Sequence, residues 1–412
     1  MRILIVSNLF PPDYTGGQEI NAWKIAHALR ARGHDVHVAT SRYRPSFTPT
    51  EPEPEWVHRI FHFVEPVPDR RSGRTATLEI MRKLAARVKI GEPNAKALDG
   101  LLGQERFDLL YPFGMHQIGL ATLEPAARRN MPTLWHCGDH YIAEHFAQAR
   151  ISRTYRFMME RALKRWTDME RRVDYRHMAF VSRFLLDYFI EQDFRPEFPY
   201  IVPRGIDFDL GEDVERQRTS PATFLMACRI DATKGVHHAV EAARILASRA
   251  PELEWRIDIA GSGDPAYQAQ LEASITEHNL QDRIKFIGKL TRPQTLERLR
   301  LATAFLSTSV WGEPFANTII ETLGSGTPLI GAVAGSILEV VVPGKTALTY
   351  EKNSPGELAD HMERLLRDPS LGVQLARAGL DTIRERYTMD RIMDLTEETF
   401  DKVLRAYGKA VA

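Results

Sequence analysis

Residues 223–250 read TFLMACRIDATKGVHHAVEAARILASRA. The run TFLMACR is short and apolar, as a buried strand is. The next residues, Ile230–Gly235, hold Asp231, Lys234 and a glycine, the chemistry of a tight turn. VHHAVEAARILASRA then repeats small and apolar residues at helical spacing. A strand that turns directly into a helix is half of a βαβ unit. Working outward, the same grammar recurs. WRIDIAG (255–261), RIKFIG (283–288), TAFLST (303–308) and TPLIGA (327–332) follow as strands, mostly separated by helical stretches. Upstream, RILIVSN (2–8), HDVHVAT (34–40), FDLLYPF (107–113), PTLWHCG (132–138) and HMAFVS (177–182) form an earlier series. QEINAWKIAHALRARG (18–33) reads as its first helix, with Ile20, Ile25, Ala26 and Leu29 on one face and Gly33 as the stop. Alternating strands and helices predict parallel sheets covered on both faces. Two such series predict an α/β protein of two Rossmann-like, doubly wound domains. The expected boundaries are 1–203, 204–388 and a last helical segment 389–412. The Pro-, Gly- and Asp-rich stretch 202–222 is the expected joint and hinge.

Composition narrows the function classes. The chain has 412 residues, enough for two or three cores at roughly 150 residues each. Lys+Arg and Asp+Glu balance at 54 each, which argues against a nucleic-acid partner. Cys137 and Cys228 are the two cysteines and form no CxxC pair, so a reducing, cytoplasmic setting is expected. No stretch approaches the roughly 18 apolar residues of a membrane span. Residues 69–89 and 150–172 are locally basic with interspersed apolar residues. They read either as solvated helical faces or as a surface for an anionic acceptor or the anionic inner face of a membrane.

In open α/β sheets, ligands bind beyond the carboxyl ends of the strands, which selects four loops. SNLFPPDYTGGQE (7–19) places Gly16 and Gly17 before the first helix, where backbone amides can meet a phosphate or form a plain turn. ACRIDATKG (227–235) places Arg229 and Lys234 in one strand-to-helix loop, suited to a diphosphate. IAGSGD (259–264) brings Gly261 and Ser262 directly after a strand, a ligand contact or a tight turn. GEPFANTIIETLGSG (312–326) contains Glu313 and Glu321. Pro314 keeps Glu313 out of a helix. A helix is expected from Ala316 or Asn317, with Glu321 roughly 6 Å along it. The amides of Ala316, Asn317 and Thr318 lie between the two carboxylates, a phosphate position. The two acids therefore suit the ends of a nucleotide sugar better than a hydrolytic acid–base pair. Glu321 would accept from the ribose, the helix start with Arg229 and Lys234 would hold the diphosphate, and Glu313 would meet the sugar.

These segments resemble the retaining glycosyltransferases of the GT-B fold, glycosyltransferase family 4 (group 1). TGGQE with LRARGHDVHVAT, VSRF with IVPRGID, CRIDATKGVHHAVEAARIL, the E-x7-E stretch EPFANTIIETLGSGTPLI, and GSILEVVVPGKTAL carry the resemblance nearly end to end. It implies two domains facing a deep cleft, with the donor on the C-terminal domain and the acceptor on the N-terminal one. It implies catalytic roles for Glu313, Arg229 and Lys234, a ribose contact for Glu321, and Gly16 and Gly17 lining the cleft. It implies a nucleotide-sugar co-substrate, UDP by default, no cofactor, no metal, and front-face transfer to a glycan, lipid-linked or small-molecule acceptor. The last helix would cross back to the N-terminal domain. Cys228, Ala316 and Ala347 stand where the family commonly has glycine. The family's N-terminal histidine, often followed by aspartate, points to LWHCGDHY, where His136, Asp139 and His140 stand and Gly138 occupies the usual histidine position; His116 is another candidate. His136 and Asp139 are kept as sugar-contacting candidates. The alternatives are a sugar-nucleotide epimerase or phosphorylase on the same fold, or a non-catalytic nucleotide-sugar-binding scaffold.

Overall fold

The computed structural model describes residues 1–14, 16–44, 53–65, 74–151, 164–211 and 220–409, excepting the side chains of 74–88, 148–151 and 165. The chain divides into two compact units, Met1–Pro203 with Met393–Ala412, and Arg204–Ile392.

The first unit is built on parallel strands. β1 (Arg2–Val6), β2 (Asp35–Ser41), β3 (Val57–Phe61) and β4 (Leu109–Pro112) form a sheet in the order β3-β2-β1-β4. β5 (Trp135–Cys137), β6 (His177–Phe180) and β7 (Phe198–Ile201) form a second, in the order β5-β6-β7. A parallel bridge, Leu110 to Thr133, joins them, with the Leu110 N–H donating to Pro132 O at 2.8 Å. Ile3 to Val6 are fully buried, as strands covered on both faces must be. β1 lies between β2 and β4, with Ile3 opposite both Val36 and Leu109. Chain order therefore reverses beside β1, where the loops after β1 and β4 leave neighbouring strand ends and meet, the Asn8 N–H donating to Gly114 O at 3.2 Å. In open α/β sheets such a reversal is where ligands bind.

The second unit repeats the plan. β8 (Ala222–Ala227), β9 (Trp255–Ala260), β10 (Ile284–Gly288), β11 (Ala304–Ser307), β12 (Leu329–Val333) and β13 (Leu348–Glu351) form one parallel sheet in the order β10-β9-β8-β11-β12-β13. The reversal falls between β8 and β11, where Phe224 pairs with Ala304. Phe224, Ile257, Ile259 and Ile330 pack with Val236, Ala239 and Leu246 of the helix Val236–Arg249. Burying each of the larger aliphatic side chains contributes about 1.5–3 kcal/mol.

The helix Gly17–Ala31 departs from its expected face. Ile25, Ala26 and Leu29 are buried, but Ile20 is only half-buried. Glu19 and Asn21 point inward beside it instead. Both find polar partners in the first unit, described below. The helix Met389–Ala406 ends among residues of the first unit. Arg32 pairs with Asp394 at 2.8 Å and Glu397 at 2.7 Å, and Phe400 packs edge-on against Tyr111. No helix among the described residues is long and apolar enough to cross a membrane. The basic stretches 69–89 and 150–172 lie largely outside the described residues or side chains.

Candidate active site

In the second unit, the loops after β8 and β11 meet at the reversal. Asp231 accepts from the Thr233 N–H at 2.9 Å and starts a short 3-10 turn, Ala232–Lys234. The β11 loop grips this turn from the other side. The Thr308 hydroxyl donates to Lys234 O at 2.7 Å, and the Val310 N–H donates to Thr233 O at 3.0 Å. With both backbones fixed, the Lys234 ammonium donates to Glu313 Oε1 at 2.6 Å. The two side chains are 19% and 24% exposed, so the pair is sheltered yet reachable. Glu313 is positioned from below as well. Its carbonyl accepts from the Ser336 N–H at 3.1 Å. Gly335, at φ +62°, lies so close that an added Cβ would be 2.4 Å from the Glu313 N and O atoms. Arg229 is in a different setting: it pairs with Asp231 at 3.0 Å and remains 74% exposed.

Glu321 lies in the helix Asn317–Gly324, whose N-cap is Ala316. Ala316 has φ −85°, which any residue adopts, so a glycine is not needed there. No side chain caps this helix start, so its first amides lack a side-chain acceptor. Glu321 Oε1 accepts from Arg292 Nε at 3.3 Å, and Arg292 also pairs with Asp207. Arg204 Nη1 donates to Asn317 Oδ1 at 3.3 Å. The role of Arg292 and Asp207 in holding Glu321 was not visible in the sequence. They lie 29 and 114 positions away in the chain, with no shared motif.

Gly261 has a backbone reason. At φ +142°, its Cβ would be 1.9 Å from Cys228 O, so glycine lets the β8 and β9 loops touch. Ser262 takes part in the same contact: its carbonyl accepts from the Ile230 N–H at 3.1 Å. Cys228 is half-buried here. Burial pushes its thiol up to about 12, against the lowering pull of Lys234.

In the first unit, loops after β1, β4 and β5 assemble a different cluster. Asp139 Oδ2 accepts from His116 Nε2 at 2.8 Å and from Gln18 Nε2 at 3.1 Å, while Oδ1 accepts from the Tyr141 N–H at 3.0 Å. Burial opposes its charge, but these donors prevail and hold the carboxyl well below the usual range. His116 stacks on Tyr141, ring centroids 4.0 Å apart, and is about one-third exposed. Glu19 is buried, and burial raises its carboxyl; its oxygen accepts from the Gly16 N–H at 3.1 Å. Gly16 has extended backbone with ordinary room for a Cβ, so no steric demand of the fold explains it.

His136 is not a surface ligand. It is buried, with Nε2 on Asn21 at 3.0 Å and Nδ1 on the Tyr111 hydroxyl at 3.2 Å, and it stacks on Phe113. Both ring nitrogens thus meet buried partners of the first unit. His140 is buried too, and burial lowers its pKa. Gln18 and Glu19 were not singled out from sequence, although they follow Gly17 directly; their inward direction emerges only with the helix.

Two family models account for most of the chain. Residues 15–210 match Glycosyltransferase Family 4, and residues 210–381 match Glycosyl transferases group 1. The chain belongs to the family 4, group 1 glycosyltransferases. Among relatives, the glycogen synthase of Mycobacterium tuberculosis is 31% identical over 175 residues, 42% of this chain and 40% of that protein. The match thus spans less than half of that relative. Among solved structures, sucrose-phosphate synthase from Thermosynechococcus elongatus aligns with a TM-score of 0.71 at 17% identity, covering 98% of this chain and 99% of that one. Anabaena HepE in complex with UDP aligns with a TM-score of 0.65 at 19% identity, covering 98% and 100%. At these identities the likeness shows the fold. It is the GT-B fold of this glycosyltransferase family, with two Rossmann-like domains.

Proposed function

We propose that this family member transfers a sugar from a nucleotide-diphosphate sugar to a hydroxyl acceptor, with retention at the anomeric carbon. The observation that carries the reading is the Lys234–Glu313 pair, 2.6 Å apart at the strand-order reversal of the second unit. A cation and a carboxylate side by side suit a ligand that presents a diphosphate next to a sugar's hydroxyls. Lys234 and the exposed Arg229 neutralise the diphosphate, together with the amides of Asn317 and Thr318 at the helix start. Ser262, in the β9 loop, is a neighbouring candidate contact. Glu321, held by Arg292, accepts from the ribose. UDP is the preferred donor nucleotide, in line with the UDP bound by Anabaena HepE, which shares the fold.

In this reaction the bond from the anomeric carbon to the diphosphate oxygen breaks. The acceptor oxygen forms its new bond on the same face, and its proton passes to the departing diphosphate. Charge builds on that leaving oxygen, and cations placed beforehand stabilise it more than they stabilise the bound donor. Lys234 is therefore assigned to the transition state as much as to binding. Glu313 orients Lys234 and meets the sugar. Lysine and arginine supply the positive charge, so turnover is expected to be indifferent to added magnesium. Asp139, with His116 and Gln18, is assigned to neutral hydroxyls of the acceptor or sugar, which an ionised carboxylate accepts well.

The test has two steps. A thermal-shift screen against UDP, GDP, ADP, CDP and their sugars identifies the donor, because a ligand that binds only the folded chain raises Tm. Nucleoside diphosphate release is then followed with donor alone and with donor plus candidate acceptors. Release that rises sharply with acceptor, giving a product of unchanged anomeric configuration by NMR, supports the reading. Binding of every nucleotide sugar without release under any acceptor overturns it in favour of a scaffold.

A further inference from the structure

A second cluster of ligating side chains lies at the other end of the first unit's sheet. His37 is the third residue of β2, and His58 is on the neighbouring β3. Ala39 pairs directly with His58, so His37, two residues earlier, shares its sheet face and is its diagonal neighbour. The rings lie nearly parallel, 6° apart, with Nδ1 of His37 only 3.0 Å from Nε2 of His58. Glu105 follows the helix Arg74–Gln104 and brings Oε2 to 3.7 Å from the same Nδ1. All three ligand atoms lie within 4.8 Å of one another, the one such group among the described residues.

We propose that His37, His58 and Glu105 form a divalent transition-metal site, with zinc as its best-fitting ion. Zinc takes imidazole nitrogen and carboxylate oxygen at about 2.0–2.2 Å in tetrahedral array, which places ligand atoms about 3.3 Å apart. The observed 3.0 Å and 3.7 Å separations lie on either side of that spacing. Two neutral imidazoles with one carboxylate are a donor set for zinc and its neighbours rather than for magnesium or calcium. The orienting group is present as well. Asp35 Oδ1 lies 3.2 Å from Nε2 of His37, the nitrogen left over when Nδ1 ligates. When Nδ1 ligates, Nε2 carries the proton and can donate to that carboxylate, which raises the basicity of the ligand.

Before an ion binds, the surroundings are net negative, two carboxylates against one guanidinium. Arg2 pairs with Glu105 at 2.6 Å and with Asp35 at 2.9 Å, and its Nη2 lies 3.2 Å from His37 Nε2. Two carboxylates thus face one guanidinium and two imidazoles. The His37 and Glu105 side chains are 13% and 26% exposed, so an ion can enter while most of the water is kept out. The cluster lies near the amino-terminal ends of the strands, away from the loops that hold Gly16, His116 and Asp139. With water as the fourth ligand, the role assigned to the ion is structural. The ion would tie the edge strand β3 to β2 and to the end of the helix Arg74–Gln104.

The experiment titrates the chelator-treated, tag-free full-length chain with Zn2+ by calorimetry and with Co2+ by visible spectroscopy. One saturable equivalent is expected, with the intense d–d absorption of four-coordinate cobalt and a Tm that rises with free zinc. His58→Gln and Glu105→Gln, each shown to be folded by circular dichroism, should lose that equivalent. His27→Gln, an exposed histidine outside the cluster, should keep it. Absence of a saturable equivalent, or equal affinity in the wild type and the His37→Gln/His58→Gln chain, would overturn the proposal.

Discussion

The two units share one plan and differ in what they place at its focus. Each runs its parallel strands in the order third, second, first, fourth, and each converges its loops beside its first strand. In the second unit the focus is a lysine–glutamate pair, backed by an arginine and an uncapped helix start. In the first unit it is an ionised aspartate held by a histidine, a glutamine and a backbone amide, with a buried glutamate beneath. The fold decides where a ligand goes, and the loop chemistry decides which ligand. Cations beside helix amides suit a diphosphate, whereas partly exposed acceptor oxygens suit hydroxyl groups.

The largest test of this contrast is Lys234→Ala. Removing a preorganised charge from the transition state should lower kcat about 100-fold or more, read as initial nucleoside diphosphate release. A small loss would remove Lys234 from the chemistry. Gly335→Ala comes next, since it touches no ligand. It forces a side chain into a left-handed position against the Glu313 backbone and should cost about 1–3 kcal/mol by urea unfolding. Turnover should fall with it, because the Glu313 loop must shift.

Asp139→Asn probes the other focus. The folded carboxyl titrates below its unfolded value, so its contribution to stability is fully present above about pH 4 and fades as pH falls through the folded value. The wild type should exceed the variant by about 1–2 kcal/mol at neutral pH, the side chain being one-third exposed, and the gap should close in strong acid. The smallest effect is on Cys228. Its thiol, pushed up to about 12, should resist iodoacetamide at pH 8, while the unfolded chain reacts there freely. Rapid native alkylation would mean that the β8 loop opens.

What the sequence left unread is as instructive as what it showed. Interior strands were legible because both neighbours and both faces demand apolar residues, as in RILIV and TFLMA. The three strands missed, Val57–Phe61, Phe198–Ile201 and Leu348–Glu351, are all sheet edges. An edge has one neighbour and tolerates polar residues, or a proline such as Pro199, so it lacks a continuous apolar run. The site divides along a similar line. Lys234 and Glu313 stand in loops that the strand pattern selects, and the structure brings them together. The His116–Asp139–Gln18 contact joins two loops and the start of the helix Gly17–Ala31, with Gln18 121 residues from Asp139, and only the sheet order makes them neighbours. His136 lies next to them in sequence terms, yet its strand turns it into the core.

The most direct test of the central claim compares UDP with uridine, by calorimetry, on the wild type and on Lys234→Ala. If the second unit's focus is a diphosphate site, UDP affinity should fall about 10–100-fold in the variant, the loss of a charge-assisted hydrogen bond worth about 1.5–3 kcal/mol, while uridine binding stays unchanged. UDP binding that survives the substitution, or an equal loss for uridine, would contradict it.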